Sequence, residues 1–323
     1  RDYKVTGVQT CALPISYVDK NVGTGKTVTL TGATLTGAAA SNYELSSVTD
    51  TSADITQKDV TGAFTVDASK TYDGSTAANV VTRTISSGVV GSDVVTLTGG
   101  TAAYASKNVG TGITVSLTGS SLGGADAANY SLASVTGTSA DITQKDVTGA
   151  FTVDASKTYD GSTAANVLTR TISAGVVGSD VVTLTGGTAA YASKNVGTGI
   201  AVSLTGSSLD GADAANYSLA SVTGTTADIT AKDVTGAFTV VGSKTYDGTT
   251  SASVLTRTIS AGVVGSDVVS LTGGTAGYAS KNVGTGIAVS LTGASLSGAD
   301  AANYSLASVT DATADIKIGR AHV

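Results

Sequence analysis

Lys70-Thr71-Tyr72-Asp73-Gly74 returns as Lys157–Gly161 and again as Lys244–Gly248, at a constant step of 87 residues. Asn42-Tyr43 returns with the same step at Asn129-Tyr130, Asn216-Tyr217 and Asn303-Tyr304. Lys20-Asn21-Val22-Gly23 returns at Lys107, Lys194 and Lys281. A fixed period overrides the prior from length, under which 323 residues suggest two domains. No shorter subperiod is present, whereas a β-helix would repeat roughly every 20 residues. The period therefore predicts a globular module strung in tandem. The first unit is a C-terminal half at residues 17–57, and three units follow at 58–144, 145–231 and 232–317.

Within a unit the apolar residues alternate. Ile113-Thr114-Val115-Ser116-Leu117 and Tyr130-Ser131-Leu132-Ala133-Ser134-Val135 have a period of two, which places one face on a core and the other in water. Val94-Val95-Thr96-Leu97 and Gly62–Val66 are further candidate strands. Gly91-Ser92-Asp93, Gly99-Gly100, Gly110-Thr111-Gly112 and Gly123-Gly124 read as the turns between them. Ala125–Asn129 allows one helical turn, and helical periodicity is otherwise absent. The expected fold is all-β: tandem Ig-like β-sandwich repeats of 87 residues in an elongated array, with six to eight strands per unit. Phe64, Tyr72, Tyr104 and Tyr130 are the expected large core fillers.

The only Cys (Cys11) and the only Pro (Pro14) lie near the N-terminus, and the only His (His322) lies near the C-terminus. The strings Val5–Ile15 and Ile318–Val323 resemble translated sequencing adapters, and the match to the repeat begins at Tyr17 and ends at Lys317. Residues 1–16 and 318–323 are therefore set aside from fold reasoning. The remainder carries 15 basic and 23 acidic residues, net −8, with no Cys and no His. An acidic balance argues against nucleic acid as a partner, because phosphates need a basic patch. No apolar run approaches the roughly 18 residues of a membrane-spanning helix, so no membrane insertion is expected. Without His or Cys, no Ser-His or Cys-His arrangement can form. The chain is expected not to be an enzyme.

Other motifs were weighed for chemistry. Gly23-Thr24-Gly25-Lys26-Thr27 looks like the tail of a phosphate-binding loop, but Lys20 stands where that motif needs a glycine, and Ile113, Ile200 and Ile287 replace Lys26 in the other copies. Tyr72-Asp73-Gly74 reads as a turn, its tyrosine hydroxyl finding a partner in or near that turn. Asp126, Asp213 and Asp300 supply too few carboxylates for calcium and are assigned to turns or caps. Asp59, Asp146 and Asp233 fall at the module junctions, where calcium is a lesser alternative. Asn129, Asn216 and Asn303 match a glycosylation sequon and are read as structural residues before a core tyrosine. No catalytic, cofactor-binding or metal residue is assigned, and no cofactor is expected.

Four blocks recur in fixed order: Lys-Thr-Tyr-Asp-Gly, Tyr-Ala-Ser-Lys-Asn-Val-Gly-Thr-Gly, Gly-Ala-Asp-Ala-Ala-Asn-Tyr-Ser-Leu and Ala-Asp-Ile-Thr. Together they resemble the YDG/MBG-type repeats of large bacterial adhesins, similar to filamentous haemagglutinin, over nearly all of Tyr17–Lys317. The resemblance implies stalk or spacer repeats of an extracellular protein, on the bacterial cell surface or secreted, that extend a distal adhesive region. The implied partners are neighbouring repeats of the same chain, with host or matrix glycans and proteins met through regions outside this sequence. The alternative is a multivalent, weakly glycan- or matrix-binding module; Tyr104 and Tyr130 exposed on one face would favour it.

Overall fold

Threonine, valine and isoleucine resist helical χ1 crowding and suit a pleated, half-buried surface, and the alternating runs do form strands. The computed structural model describes residues 14–319, so Cys11 and His322 lie outside the described residues. The leading half unit supplies β1 (Ile15–Tyr17), β2 (Gly23–Leu30) and β3 (Thr51–Ile55), hydrogen-bonded in the order β1-β2-β3. The first full repeat supplies eight strands: β4 (Lys58–Val66), β5 (Ser69–Thr71), β6 (Ala77–Ala78), β7 (Val80–Ser87), β8 (Thr96–Tyr104), β9 (Gly110–Gly123), β10 (Tyr130–Thr136) and β11 (Thr138–Thr143). A single 3-10 turn, Ala127–Asn129, stands where one helical turn was expected.

Each full repeat is a sandwich of two sheets, one of three strands and one of five. In the first repeat the orders are β10-β4-β7 and β5-β11-β9-β8-β6. The chain crosses between the sheets after β4, and the first strand on each side pairs parallel with a late strand. Lys58 of β4 sits opposite Tyr130 of β10, and Ser69 of β5 sits opposite Asp141 of β11. The other pairings are antiparallel, such as Tyr104 with Val115 across β8 and β9. The second and third repeats reproduce both orders strand for strand, so the fold is a tandem series of Ig-like β-sandwiches. The chain divides into two compact units, with the boundary after Gln144.

The expected large fillers are all interior: Phe64 is 5 % exposed, Tyr72 1 %, Tyr104 4 % and Tyr130 4 %. Val60, Val115, Ile142 and Leu97 join them in the core. At about 1.5–3 kcal/mol per large apolar side chain, this core sets against the ordering entropy of a module with no disulfide.

Three strand assignments change. Gly110-Thr111-Gly112, expected as a turn between strands, opens β9 as a bulge where the register against β11 shifts. Val94 and Val95 precede β8 rather than belonging to it, and Val94 is more than half exposed. Gly99-Gly100 is not a turn but lies within β8, which keeps one register with β9 through it: Gly99 opposes Ser120, and Thr101 opposes Thr118. Both glycines have positive φ, and a Cβ on Gly100 would stand 2.3 Å from Ser120 Oγ. Arg83 on β7 donates from Nε to Gly99 O at 2.7 Å and from Nη2 to Gly100 O at 3.3 Å, tying the facing sheet to these glycines. Alternation alone does not distinguish a two-glycine turn from two glycines carried inside one strand.

Ser120 Oγ and the matching Ser207 Oγ are buried without a hydrogen-bond partner, and the third repeat carries Ala294 at this place. Ser120→Ala and Ser207→Ala are expected to leave stability unchanged or to raise it by about 1 kcal/mol, because a buried unsatisfied hydroxyl is removed. Denaturant titration of each variant checks this.

At the N-terminal side, Ile15 and Ser16 pair with Leu30 and Thr29 in the register that Ala102 and Ala103 keep with Leu117 and Ser116. These two residues, set aside on sequence grounds, thus continue the ladder of the repeat.

Candidate functional site: the junction between repeats

The Lys-Thr-Tyr-Asp-Gly block is a self-contained turn. In the second repeat Asp160 Oδ1 accepts from Ser162 N and Ser162 Oγ, both at 2.9 Å, and from Lys157 Nζ at 2.8 Å. Lys157 Nζ also donates to Ser162 O at 2.8 Å and Ala164 O at 3.0 Å, and stands 5.4 Å from the ring centre of Tyr191. Gly161 takes φ 78°, as an Asp-Gly turn requires. The turn reading of the motif is borne out.

The tyrosine of the block does something the sequence did not reveal. Tyr159, 1 % exposed, leaves its own turn and reaches the next repeat. Its hydroxyl donates to Asp267 Oδ2 at 2.8 Å, the same oxygen that accepts from Tyr304 Oη at 2.6 Å. Tyr304 Oη in turn accepts from Val264 N at 3.0 Å. The two rings meet edge to face, 5.4 Å apart at 75°. The expectation that this hydroxyl bonds in or near its own turn is therefore corrected: its partner belongs to the neighbouring module. Tyr159 shares one buried cluster with Val234 and Tyr304 of the third repeat, so the core runs on across the junction.

Asparagines form the second half of the clasp. Asn303 Oδ1 accepts from Val196 N at 2.9 Å, and Asn303 Nδ2 donates to Asn195 Oδ1 at 3.3 Å. Asn303 is only 5 % exposed. The sequon asparagine is thus a structural residue, and the amide nitrogen that glycosylation would use is engaged. The same pattern joins the half unit to the first repeat, where Asn129 Oδ1 accepts from Val22 N at 2.9 Å and Asn129 Nδ2 donates to Asn21 Oδ1 at 3.2 Å. There Lys20 Nζ lies 2.6 Å from Asp93 Oδ1 and 3.1 Å from Asp126 Oδ1.

The remaining motif residues take structural positions. Lys26 ion-pairs with Asp19, and the N–H of Gly25 donates to Asp54 Oδ1 at 2.8 Å, inside a β hairpin with no following helix. Gly112, Gly199 and Gly286 bond Asp141, Asp228 and Asp315 in the same way, so the aspartate of each Ala-Asp-Ile block clamps the Gly-Thr-Gly bulge that opens the long strand. Asp126, Asp213 and Asp300 accept from Val94 N, Val181 N and Val268 N, each at 2.9 Å, fastening one loop to another. They precede the 3-10 turns without capping them. Asp59, Asp146 and Asp233 lie exposed at the second residue of a strand. Among the described residues no three His, Cys, Asp or Glu side chains group to hold a metal.

Asp93 and Asp267 are the junction acceptors that sequence reading assigned only to a glycine turn. The Gly-Ser-Asp string recurs at Gly91, Gly178 and Gly265, but so do its neighbours, residues 88–95 being identical in all three copies, so recurrence alone does not single the aspartate out.

Burial, reinforced by the bond to Asp267, pushes the Tyr159 hydroxyl up to about 12 from its ordinary 10.0. Burial and Asp180 push Tyr217 up to about 12. The two tyrosine hydroxyls hold Asp267 below the usual carboxylate value, and Lys157 holds Asp160 down at about 2. A raised folded value for a tyrosine means stability that is fully present below pH 10.0 and lost as pH rises through about 12. A lowered carboxylate means stability present above pH 3.8 and lost as pH falls toward 2. Unfolding followed by circular dichroism should thus show a plateau between these limits. Tyr159→Phe should shrink the alkaline loss and keep the part of the acid limb that Asp160 carries, while weakening the part from Asp267.

The fold and its clasp define a tandem β-sandwich repeat protein. The YDG domain family matches four times, at residues 5–52, 56–137, 143–227 and 230–313, and the chain belongs to that family. No curated protein and no solved structure matches the chain. The first match begins within the residues set aside on sequence grounds. Among the described residues no helix is long and apolar enough to cross a membrane.

Proposed function

We propose that the chain is a non-catalytic stalk segment of a bacterial adhesin of the filamentous haemagglutinin kind, on the cell surface or secreted. Its repeats serve as spacers that hold a distal adhesive region away from the cell. One observation carries this reading: the most buried residue of the family motif, Tyr159, is spent on the neighbouring repeat rather than on a pocket. A module whose signature residue recognises another copy of itself propagates along a chain. The glycan-binding alternative draws no support from Tyr104 and Tyr130, which are each only 4 % exposed and offer no stacking face.

Small-angle scattering tests the spacer reading. Strands of about ten residues at roughly 3.3 Å each give about 30–40 Å per repeat, so the particle should be a rod whose length grows by that step with each repeat. A radius of gyration near 20 Å, that of a compact chain of this length, would refute it. Immunogold labelling of cells expressing the complete gene tests the location, and interior labelling alone would overturn it.

A further inference from the structure

The strands by which the chain enters and leaves a repeat lie side by side and run the same way. In the first repeat β4 pairs parallel with β10, from Lys58 opposite Tyr130 to Ala63 opposite Thr136. β5 then pairs parallel with β11, from Ser69 opposite Asp141 to Thr71 opposite Thr143. The two paths change sheets together and stay paired along the module. Tyr72 N donates to Thr143 O at 2.8 Å, which carries the pairing to the last residue of β11. Gln144 alone then precedes the next strand, which begins at Lys145, and Ala231 alone separates the second repeat from the third. The chain thus enters a repeat at the start of one path and leaves it at the far end of the other.

A pull on the chain draws these two paths past each other along their own axes. All the bonds of a parallel ladder, evenly spaced along the strands, are then strained together, whereas a pull across the strands opens them one at a time. The core opposes the same movement. A slip of one residue turns the inward side chains of a strand outward, and Val60, Phe64, Tyr130 and Ile142 on these strands are all buried. The far end is held by the Lys-Thr-Tyr-Asp-Gly block. Lys70, opposite Ile142 in β5, donates from Nζ to Asp73 Oδ1 and Ser75 O, both at 2.8 Å, and to Ala77 O at 3.1 Å. Ala77 opens β6, at the other edge of the same sheet. Both parallel pairings recur in the same register in the second and third repeats.

We propose that each YDG repeat is a shear clamp. Its parallel terminal strands resist tension along the chain, and the family motif anchors the far end of the clamp. Spacing alone does not require this, because a repeat can hold distance without resisting a pull.

Single-molecule force spectroscopy on the whole chain tests the clamp, with Cys11→Ser removing the only other thiol and paired cysteines carrying the handles. Asp146→Cys with Asp233→Cys, one repeat apart and both exposed, pulls the second repeat along its terminal strands. Asp146→Cys with Ala212→Cys pulls across them, because exposed Ala212 lies just before the strand that begins at Tyr217, opposite Lys145. Neither pair alters a residue inside the clamp's core, and the two proteins should share one urea midpoint. At one loading rate the first pair should need several times the force of the second, since forced unfolding follows the barrier along the pulled direction rather than equilibrium stability. Its rupture should release at most about 310 Å of chain, the extended span of the 87 residues between the handles. Equal forces in the two directions would overturn the clamp. Adding Lys157→Met should lower the force along the strands and leave the force across them unchanged, because the pull across opens first at the other end of the module. Equal loss in both directions, or loss in neither, would overturn the motif as the anchor. Neither outcome bears on the rod expected in scattering, so the clamp and the spacer fail separately.

Discussion

Tyr159→Ala is expected to cost about 3–5 kcal/mol, the usual range for truncating a buried aromatic, while the same change at Tyr246 costs about 1 kcal/mol or less. Both tyrosines occupy the same place in the same five-residue motif. Tyr159 is 1 % exposed and bonds Asp267, whereas Tyr246 is 49 % exposed. Their backbones do the same work: Tyr159 N donates to Thr230 O at 2.9 Å and Tyr246 N donates to Lys317 O at 2.8 Å. Only the neighbouring repeat differs. The loss at Tyr159 should therefore be a loss of coupling between the second and third repeats. Denaturant unfolding should show the two repeats melting less cooperatively, as expected for modules linked by nearest-neighbour terms. Tyr159→Phe removes the hydroxyl alone and leaves Asp267 with Tyr304, so it should cost about 0.5–1.5 kcal/mol, the worth of one hydrogen bond. Equal effects of alanine at Tyr159 and Tyr246 would show that the motif tyrosine stabilises its own repeat only.

Gly175→Ala is expected to destabilise the second repeat by about 2–5 kcal/mol. Gly175 sits at φ 99°, and a Cβ there would meet Asp146 O at 2.4 Å and Val147 Cα at 3.0 Å. Both obstacles are backbone atoms of the strand that begins the repeat, so no side-chain rotation relieves them. A left-handed backbone costs about 1–2 kcal/mol for a residue with a Cβ, and forced overpacking adds about 1–3 kcal/mol. Gly178, three residues on, has φ 53° and open space around its Cβ position. Gly178→Ala should thus cost only the conformational part, about 1–2 kcal/mol. Urea midpoints of the two variants, compared at equal slope, check the difference.

That pair shows where sequence reading stops. Gly175 and Gly178 stand in one glycine-bearing loop, and nothing local ranks them. The ranking comes from the strand start at Asp146–Val147, which passes beneath one and not the other. The Gly99-Gly100 pair was likewise legible as glycine chemistry but not as the interior of a continuous strand, because the deciding contacts come from Arg83 and Ser120 on other strands.

The sequence by itself determined the period, the all-β class and the large core residues. Each of these follows from a local or periodic signal: exact recurrence, alternation of period two, and the scarcity of aromatics. It also settled the Tyr-Asp-Gly turn, whose bonds close within a few residues. Only the tertiary structure decided what the tyrosine of that turn is for. Tyr159 and Asp267 lie 108 residues apart, and Asn303 and Val196 lie 107 apart. Because the repeats are nearly identical, a bond within one module and a bond to the next leave the same trace in the sequence. The exposure of Tyr246 against the burial of Tyr159 breaks that degeneracy, since only a three-dimensional arrangement distinguishes a repeat with a covering neighbour from one without.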